Sequence, residues 1–556
     1  MALTLPVVAA ADSDEFLIED EQLQAFLQEH VPEKPETPEP PGKEERTILV
    51  DLLQKGDPAE TERVAWILGD WKGPNNVEPL LSVTEHDSAN VQIQSAESLG
   101  HLSAHIRDED RNRTISRLLE LTLSENNEVV AAAVDALGQL QAQKARTRIG
   151  KSTQSDDPAV KIAAIRALGR IGDRKSMKTL RPALEADSTR TRKHAIRAIS
   201  RLGDPAFAEE IIPFLENARP ALQIAAIKAV VRLKATEEQD ALIDLLQEED
   251  RPAIRRTVLQ ALVSLGGEDH REHYLQHTDD PHHSVRQLAV ETIGRFQIEE
   301  GAQLLGERLS DDHKHVRDAA VDALVDIGSD KVEKVAANAL DSASDPARAA
   351  SSEVLGRMKS PRRAEVHAQL LEDNYLPARR RAAWAMGEIG YKDAGSQLYE
   401  TAFKEEADDM VRAAGIISMG KLGHDEVLSK CRTLLPQKPT NSDPGEPTVV
   451  RRASARAMGY LEDTANCDPL LQRLNDVGGD MPETGSIRLE SAVALGRIGD
   501  EQALDDLREY MESEDSSPDI RAACQWAIGQ ITGDLPDLEL ATPDPPQPDY
   551  FIRPAD

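Results

Sequence analysis

The chain is 556 residues long and carries 99 acidic against 65 basic side chains, a net charge of −34. Such a surface repels other polyanions at long range, and no apolar stretch approaches the ~20 residues that span a bilayer. Aromatics make up only 3% of the chain, and Cys431, Cys467 and Cys524 lie far apart, a pattern that indicates neither a disulfide framework nor a thiolate metal site.

Residues 1–43 precede any repeating pattern. Their opening run, MALTLPVVAAADSDE, has no basic stretch ahead of its apolar residues, so a secretory leader is not expected and a soluble cytoplasmic protein is. Phe16, Leu17, Leu23, Phe26 and Leu27 line one side of a predicted short helix. Residues 31–42, VPEKPETPEPPG, form a Pro/Glu tract expected to be extended. Twelve acids fall within residues 12–46, so this tail is a candidate for folding back onto any basic surface of the same chain.

From residue 44 to 532 the sequence repeats itself. DPAVKIAAIRALGRIGD (157–173) returns as TRKHAIRAISRLGD (191–204) and as SIRLESAVALGRIGD (486–500). Aligning the column of Gly169 gives fifteen copies, at 69, 100, 138, 169, 200, 231, 263, 294, 325, 356, 387, 420, 459, 496 and 529. Within a copy the apolar residues recur at three and four, as at Val160, Ala163, Ala164, Ala167, Leu168 and Ile171, the period of a helix with a wide apolar stripe. Asp157-Pro158 supplies a start signal and Gly172-Asp173 a stop. Met177, Leu180 and Leu184 mark another helix, so each unit is two antiparallel helices. A unit this short buries its apolar face only by stacking on its neighbours. The predicted fold is all-α, an α-solenoid of about fifteen two-helix repeats. Residues 533–556 are again acidic and Pro-rich, and read as a tail.

The signature DPAVKIAAIRALGRIGD resembles the HEAT-like repeats first associated with phycobilin lyases. That resemblance covers about 490 of the 556 residues and implies a right-handed superhelix, without specifying an activity. The basic position of the family follows the valine here, at Lys161, Arg192, Arg255, Arg286, Arg317, Arg348, Arg379, Arg412, Arg451, Arg488 and Arg521, and is replaced at Gln223. A column so widely shared reads as structural, with arginines bonding the Asp or carbonyls of a neighbouring turn. Arginine outnumbers lysine 44 to 21. With the acidic excess, this matches the surface of a protein from a halophilic archaeon; an acidic mesophilic protein is the alternative.

Function is then sought where the copies differ. The residues seven and three before the column and one after it share one exposed helix face, and stacking turns that face into a ladder. Its basic block holds Arg166 and Arg170, then Lys193, Arg197 and Arg201, then Lys228 and Arg232, with Arg256 beyond. Residues 144–201 contain 16 Lys/Arg against 5 Asp/Glu, a local net of +11 in a strongly acidic chain. The expected role is to dock an acidic segment of a partner protein. Nucleic acid is the alternative, disfavoured by the absence of Phe, Tyr or Trp from that stretch. A merely solvated basic face is the plain structural reading.

An acidic block follows at Glu291, Asp318, Asp322, Asp326 and Glu353, either a cation-attracting face or a solvated one. Trp66, Trp384 and Trp526 all stand three residues before the column. Trp384, near Arg379, Arg380 and Arg381, is read as an exposed anchor for a partner. The alternative is that each indole lies over a neighbouring repeat or covers a solenoid end.

Seven histidines fall between 270 and 315. His282, His283, His313 and His315, in turns rich in Asp279, Asp280, Asp311 and Asp312, are the only candidates for a metal site, and would serve a lyase-type enzyme or enzyme accessory. No tight ligand spacing accompanies them. The chain lacks any His-Glu dipeptide, which argues against the di-iron hydroxylase branch of the same repeats. No phosphate loop or serine elbow is found. The reading is a non-enzymatic scaffold or adaptor without a cofactor.

Overall fold

The computed structural model of the chain describes residues 43–71, 73–216, 219–404, 407–438, 445–478, 483–513 and 515–534. The predicted helix at 16–27, the Pro/Glu tract and the tail from 535 onward lie outside them. Every regular element among the described residues is helical, and the chain is an all-α solenoid.

The copy around Gly169 shows how sequence makes the unit. The Asp157 carboxylate accepts hydrogen bonds from the Ala159 and Val160 amides at 2.8 and 3.1 Å, meeting donors that the first turn leaves without partners. Pro158 sits where no amide is needed. The helix Pro158–Ile171 ends at Gly172, whose φ of 70° is left-handed, a conformation costly for any residue with a Cβ. Val160, Ala164, Ile165 and Leu168 are buried on one side of it. Full burial of such an aliphatic side chain contributes about 1.5–3 kcal/mol, so a handful per helix outweighs modest intrinsic propensity.

The column glycine is a packing residue. A Cβ on Gly169 would lie 2.7 Å from the Ala198 Cα, and one on Gly138 would lie 2.6 Å from the Ala167 Cα. Successive second helices therefore touch backbone to backbone, the glycine of one copy against the alanine of the next.

The chain divides into two compact units, residues 1–238 and 239–556. The first contains the copies with columns at 69 to 231. Its last copy replaces the first α-helix by the 3-10 turns Pro205–Glu210 and Ile212–Phe214, where Pro205 and Pro213 each lack a backbone donor. The second unit contains the copies with columns at 263 to 529.

In the second unit the arginine column staples neighbouring turns together, as its recurrence implied. Arg255 grips Asp280 through Nε and Nη2, both at 2.7 Å, and also donates to the Glu249 and Asp250 carbonyls. One copy later Arg286 does the same to Asp311 and to the Asp280 carbonyl, and Arg348 grips Asp373. Arg451 and Glu483 form a deeply buried pair, each side chain 1% exposed. In the first unit Gln223 replaces the arginine, and its amide reaches the Leu215 carbonyl at 2.8 Å. Cys431, Cys467 and Cys524 are buried free thiols, and desolvation pushes Cys431 and Cys524 up to about 12, which leaves them unreactive at neutral pH.

Candidate functional site

The ladder of the first unit lines a groove of about 1670 Å³ that runs from Trp66 to Arg232. The second helices of six successive copies form its floor, so this face of the repeats is concave. Arg166, Arg170, Arg201 and Arg232 border it, as does Arg190, one turn ahead of the predicted block. Lys193 and Arg197 are half-buried on the same helix as Arg201, and Lys228 is exposed one turn before Arg232.

The groove carries two signs. Its N-terminal half is walled by Asp70, Glu97 and Asp135, which occupy the same ladder registers as the basic residues further on. These acids are visible in the sequence at the ladder registers of their own copies, outside the stretch where lysine and arginine are in excess. Asp135 marks the junction. It accepts from Arg170 Nη1 at 2.8 Å and Gln139 Nε2 at 3.0 Å, with Arg166 Nη2 at 3.6 Å. Two of the predicted basic residues are thus tied to a carboxylate of the preceding copy. The Glu97 carboxyl is held above the usual carboxylate range, chiefly by desolvation; His101 opposes the shift and Asp135 adds to it. At the far end Arg190, Lys228 and Arg232 are exposed. At the N-terminal end Trp66 is 55% exposed.

Trp384 is not a surface anchor. It is 5% exposed, because the column residue of the preceding copy, Gly356, leaves a gap that the indole fills; a Cβ there would lie 2.4 Å from the Trp384 Cζ3. Trp526 takes the same seat on Gly496 and is half-buried. The arginines beside Trp384 are also committed: Arg379 donates to the Asp373 and Asn374 carbonyls, and Arg381 Nε lies 3.1 Å from Glu353. Glu353, expected in the acidic face, is itself only 2% exposed.

The rest of the acidic block does share a surface. Glu291, Asp318, Asp322 and Asp326 line a pocket of about 350 Å³ in the second unit. Asp322 is engaged by Arg357 at 2.5 Å.

The histidine turns are not assembled as a metal centre. Among the described residues no group of three or more His, Cys, Asp or Glu is placed to hold an ion. His283 and His313 stack face to face, ring centroids 3.7 Å apart, with His282 4.6 Å from His283. His282 Nδ1 caps its own helix through Ser284, and His315 lines the acidic pocket instead. The carboxylates that would complete a ligand set, Asp280 and Asp311, are held by Arg255 and Arg286. No described helix is long and apolar enough to cross a membrane.

Comparison with known proteins agrees with this architecture. The profile described as HEAT repeats matches residues 47–138, 147–210, 271–356, 332–420 and 444–529, well over half of the chain. No curated protein sequence matches it. Among solved structures, Kap121p is similar with a TM-score of 0.52 at 14% identity, over 92% of this chain and 57% of Kap121p. Importin beta gives 0.52 at 12% identity, over 94% of this chain and 84% of its own. The Kap95:Nup1 complex also gives 0.52 at 12%, over 87% and 72%. At these identities the likeness is one of fold.

Proposed function

This chain belongs to the HEAT-repeat family, and on that footing we propose that it is a non-enzymatic adaptor whose first-unit groove receives an acidic segment of a partner protein. The observation that carries the reading is charge placement. In a chain of net −34, exposed Arg190 and Arg232 stand at one end of a concave surface, with exposed Lys228 one turn from Arg232, and low-dielectric walls strengthen their field. Arg201 borders the same stretch. Glu97 and Asp135, nearer the opposite end, set the register by repelling a segment that slides too far.

Nucleic acid is disfavoured because no aromatic side chain between 144 and 201 is available to stack a base. The test is fluorescence anisotropy with labelled poly-glutamate and, separately, a single-stranded oligonucleotide. The wild-type chain is compared with an Arg190→Glu, Lys228→Glu, Arg232→Glu variant, whose altered residues are all exposed. The expected result is poly-glutamate binding that falls at least tenfold in the variant. Equal binding by both chains would overturn the reading. Preferential oligonucleotide binding, with a steep logarithmic dependence on salt, would replace it by the nucleic-acid alternative.

A further inference from the structure

Each internal copy has registers that touch the copy before it. At one of them Arg117 Nε donates to Thr84 Oγ1 at 2.7 Å, and one copy later Arg148 Nε donates to Thr122 Oγ1 at 2.8 Å. At a second, Val83 and Leu121 are buried. At a third, Trp384 covers Gly356, and at a fourth, Ala136 and Ala167 press on Gly100 and Gly138. The copy with its column at Gly69 carries Ile48, Leu52, Trp66 and Ile67 at these same registers. Ile48 is 61% exposed, Leu52 41% and Trp66 55%. Three of the five large apolar side chains that are exposed among the described residues therefore lie in this one copy. The helix Pro518–Thr532, at the other end of the repeats, has none. A terminal repeat normally turns a polar face outward, and this copy turns an apolar one.

We propose that the seat is filled by the chain's own N-terminal segment, residues 16–27 packing as a helix across Ile48, Leu52, Trp66 and Ile67 in place of a preceding repeat. The sequence of that segment fits the seat. A 3.6-residue period gathers Phe16, Leu23, Phe26 and Leu27 into one stripe. Ser13 stands before it as a cap, with Asp14 and Glu15 in the first turn. Glu19 and Asp20 fall on the same side as that stripe, between Phe16 and Leu23, while Glu21 lies on the other. Arg63, exposed one turn before Trp66 and Ile67, is a complement for those acids.

Reach is ample. Fifteen residues, 28–42, join the segment to the first described helix and extend to at most ~50 Å, several times the ~10 Å diameter of a helix. A tether this short keeps the local concentration high. Binding of the same segment to the basic arm through its acids would leave both the apolar stripe and the apolar seat in water. This inference does not depend on the role of the groove.

Two measurements on the full-length chain test it. Leu23→Cys is combined with Leu52→Cys in one variant and with Lys228→Cys in another, the native cysteines being buried, and disulfides formed under mild oxidation are mapped by mass spectrometry. Hydrogen exchange is then compared between the wild-type chain and a Phe16→Asp, Leu23→Asp, Phe26→Asp variant. The proposal expects an intramolecular Leu23→Cys to Leu52→Cys crosslink. It also expects exchange across residues 46–70 to rise at least tenfold in the triple variant, while Lys314–Ile327 is unchanged. A crosslink to the Lys228→Cys position would place the tail in the groove and overturn it. Crosslinks only between chains, rising with concentration, would assign the seat to a second copy. Exchange unaffected by the triple substitution would likewise overturn it.

Discussion

Trp66, Trp384 and Trp526 occupy one register of the repeat and meet different surroundings. Trp384 and Trp526 each find the column glycine of the preceding copy and lie on it; among the described residues no copy precedes that of Trp66, which stands exposed. A side chain's register is thus visible in one dimension, and its burial depends on the residue that another copy brings to it. His367 is a second case. It is fully buried, with Ser352 Oγ bonded to its Nε2, and burial pushes the imidazole down to about 3. The folded state therefore holds it neutral. Its contribution to stability is complete above the ordinary value near 6.5 and is lost progressively as pH falls from there toward 3. Unfolding free energies from urea titrations at pH 7, 6, 5 and 4 should fall more steeply for the wild-type chain than for His367→Gln, by up to about 1.4 kcal/mol per pH unit. Parallel curves would show that the folded state tolerates the charged imidazole.

At the level of the helix pair, two kinds of contact join one copy to the next: a glycine against an alanine, and an arginine against the following turn. Both were legible in the sequence, because a feature that recurs at the repeat period in nearly every copy has to serve the stacking that every copy shares. Their costs differ. Replacing Gly169 by alanine drives a methyl group toward the Ala198 backbone, an overpacking expected to cost about 1–3 kcal/mol. Arg451→Met leaves Glu483, 1% exposed, without its main partner, and the loss of half of a buried pair costs about 3–5 kcal/mol. Hydrogen exchange of Gly485–Ile498 measures this directly. The Arg451→Met, Glu483→Gln double variant should recover part of the loss, and a double variant no better than the single one would mean that the pair is not the source. Histidines at equivalent turns invited a ligand set by the same logic of recurrence, but the aspartates beside them belong to the arginine staples.

For the whole molecule, the charge of −34 acts on every copy at once. Exposed acids repel over a Debye length of ~10 Å at 0.1 M salt and only ~3 Å at 1 M, whereas the buried arginine staples are screened much less. Added potassium chloride should therefore stabilise the chain. A calorimetric scan is expected to show Tm rising between 0.1 and 2 M, each 1 kcal/mol of relieved repulsion corresponding to ~2–4 °C or less; a falling Tm would mean that surface pairs outweigh the repulsion. Periodicity, caps and the glycine column determined by themselves that the chain is an all-α solenoid, since those signals are local or repeat at a set interval. The exposure of the ladder was decided only in three dimensions. The three registers line an open groove between Trp66 and Arg232, yet in later copies the middle one, three residues before the column, holds buried Trp384, Ile417, Arg456 and Val493. Burial at one register is a property of several helices together, set by which side chains successive copies place opposite one another.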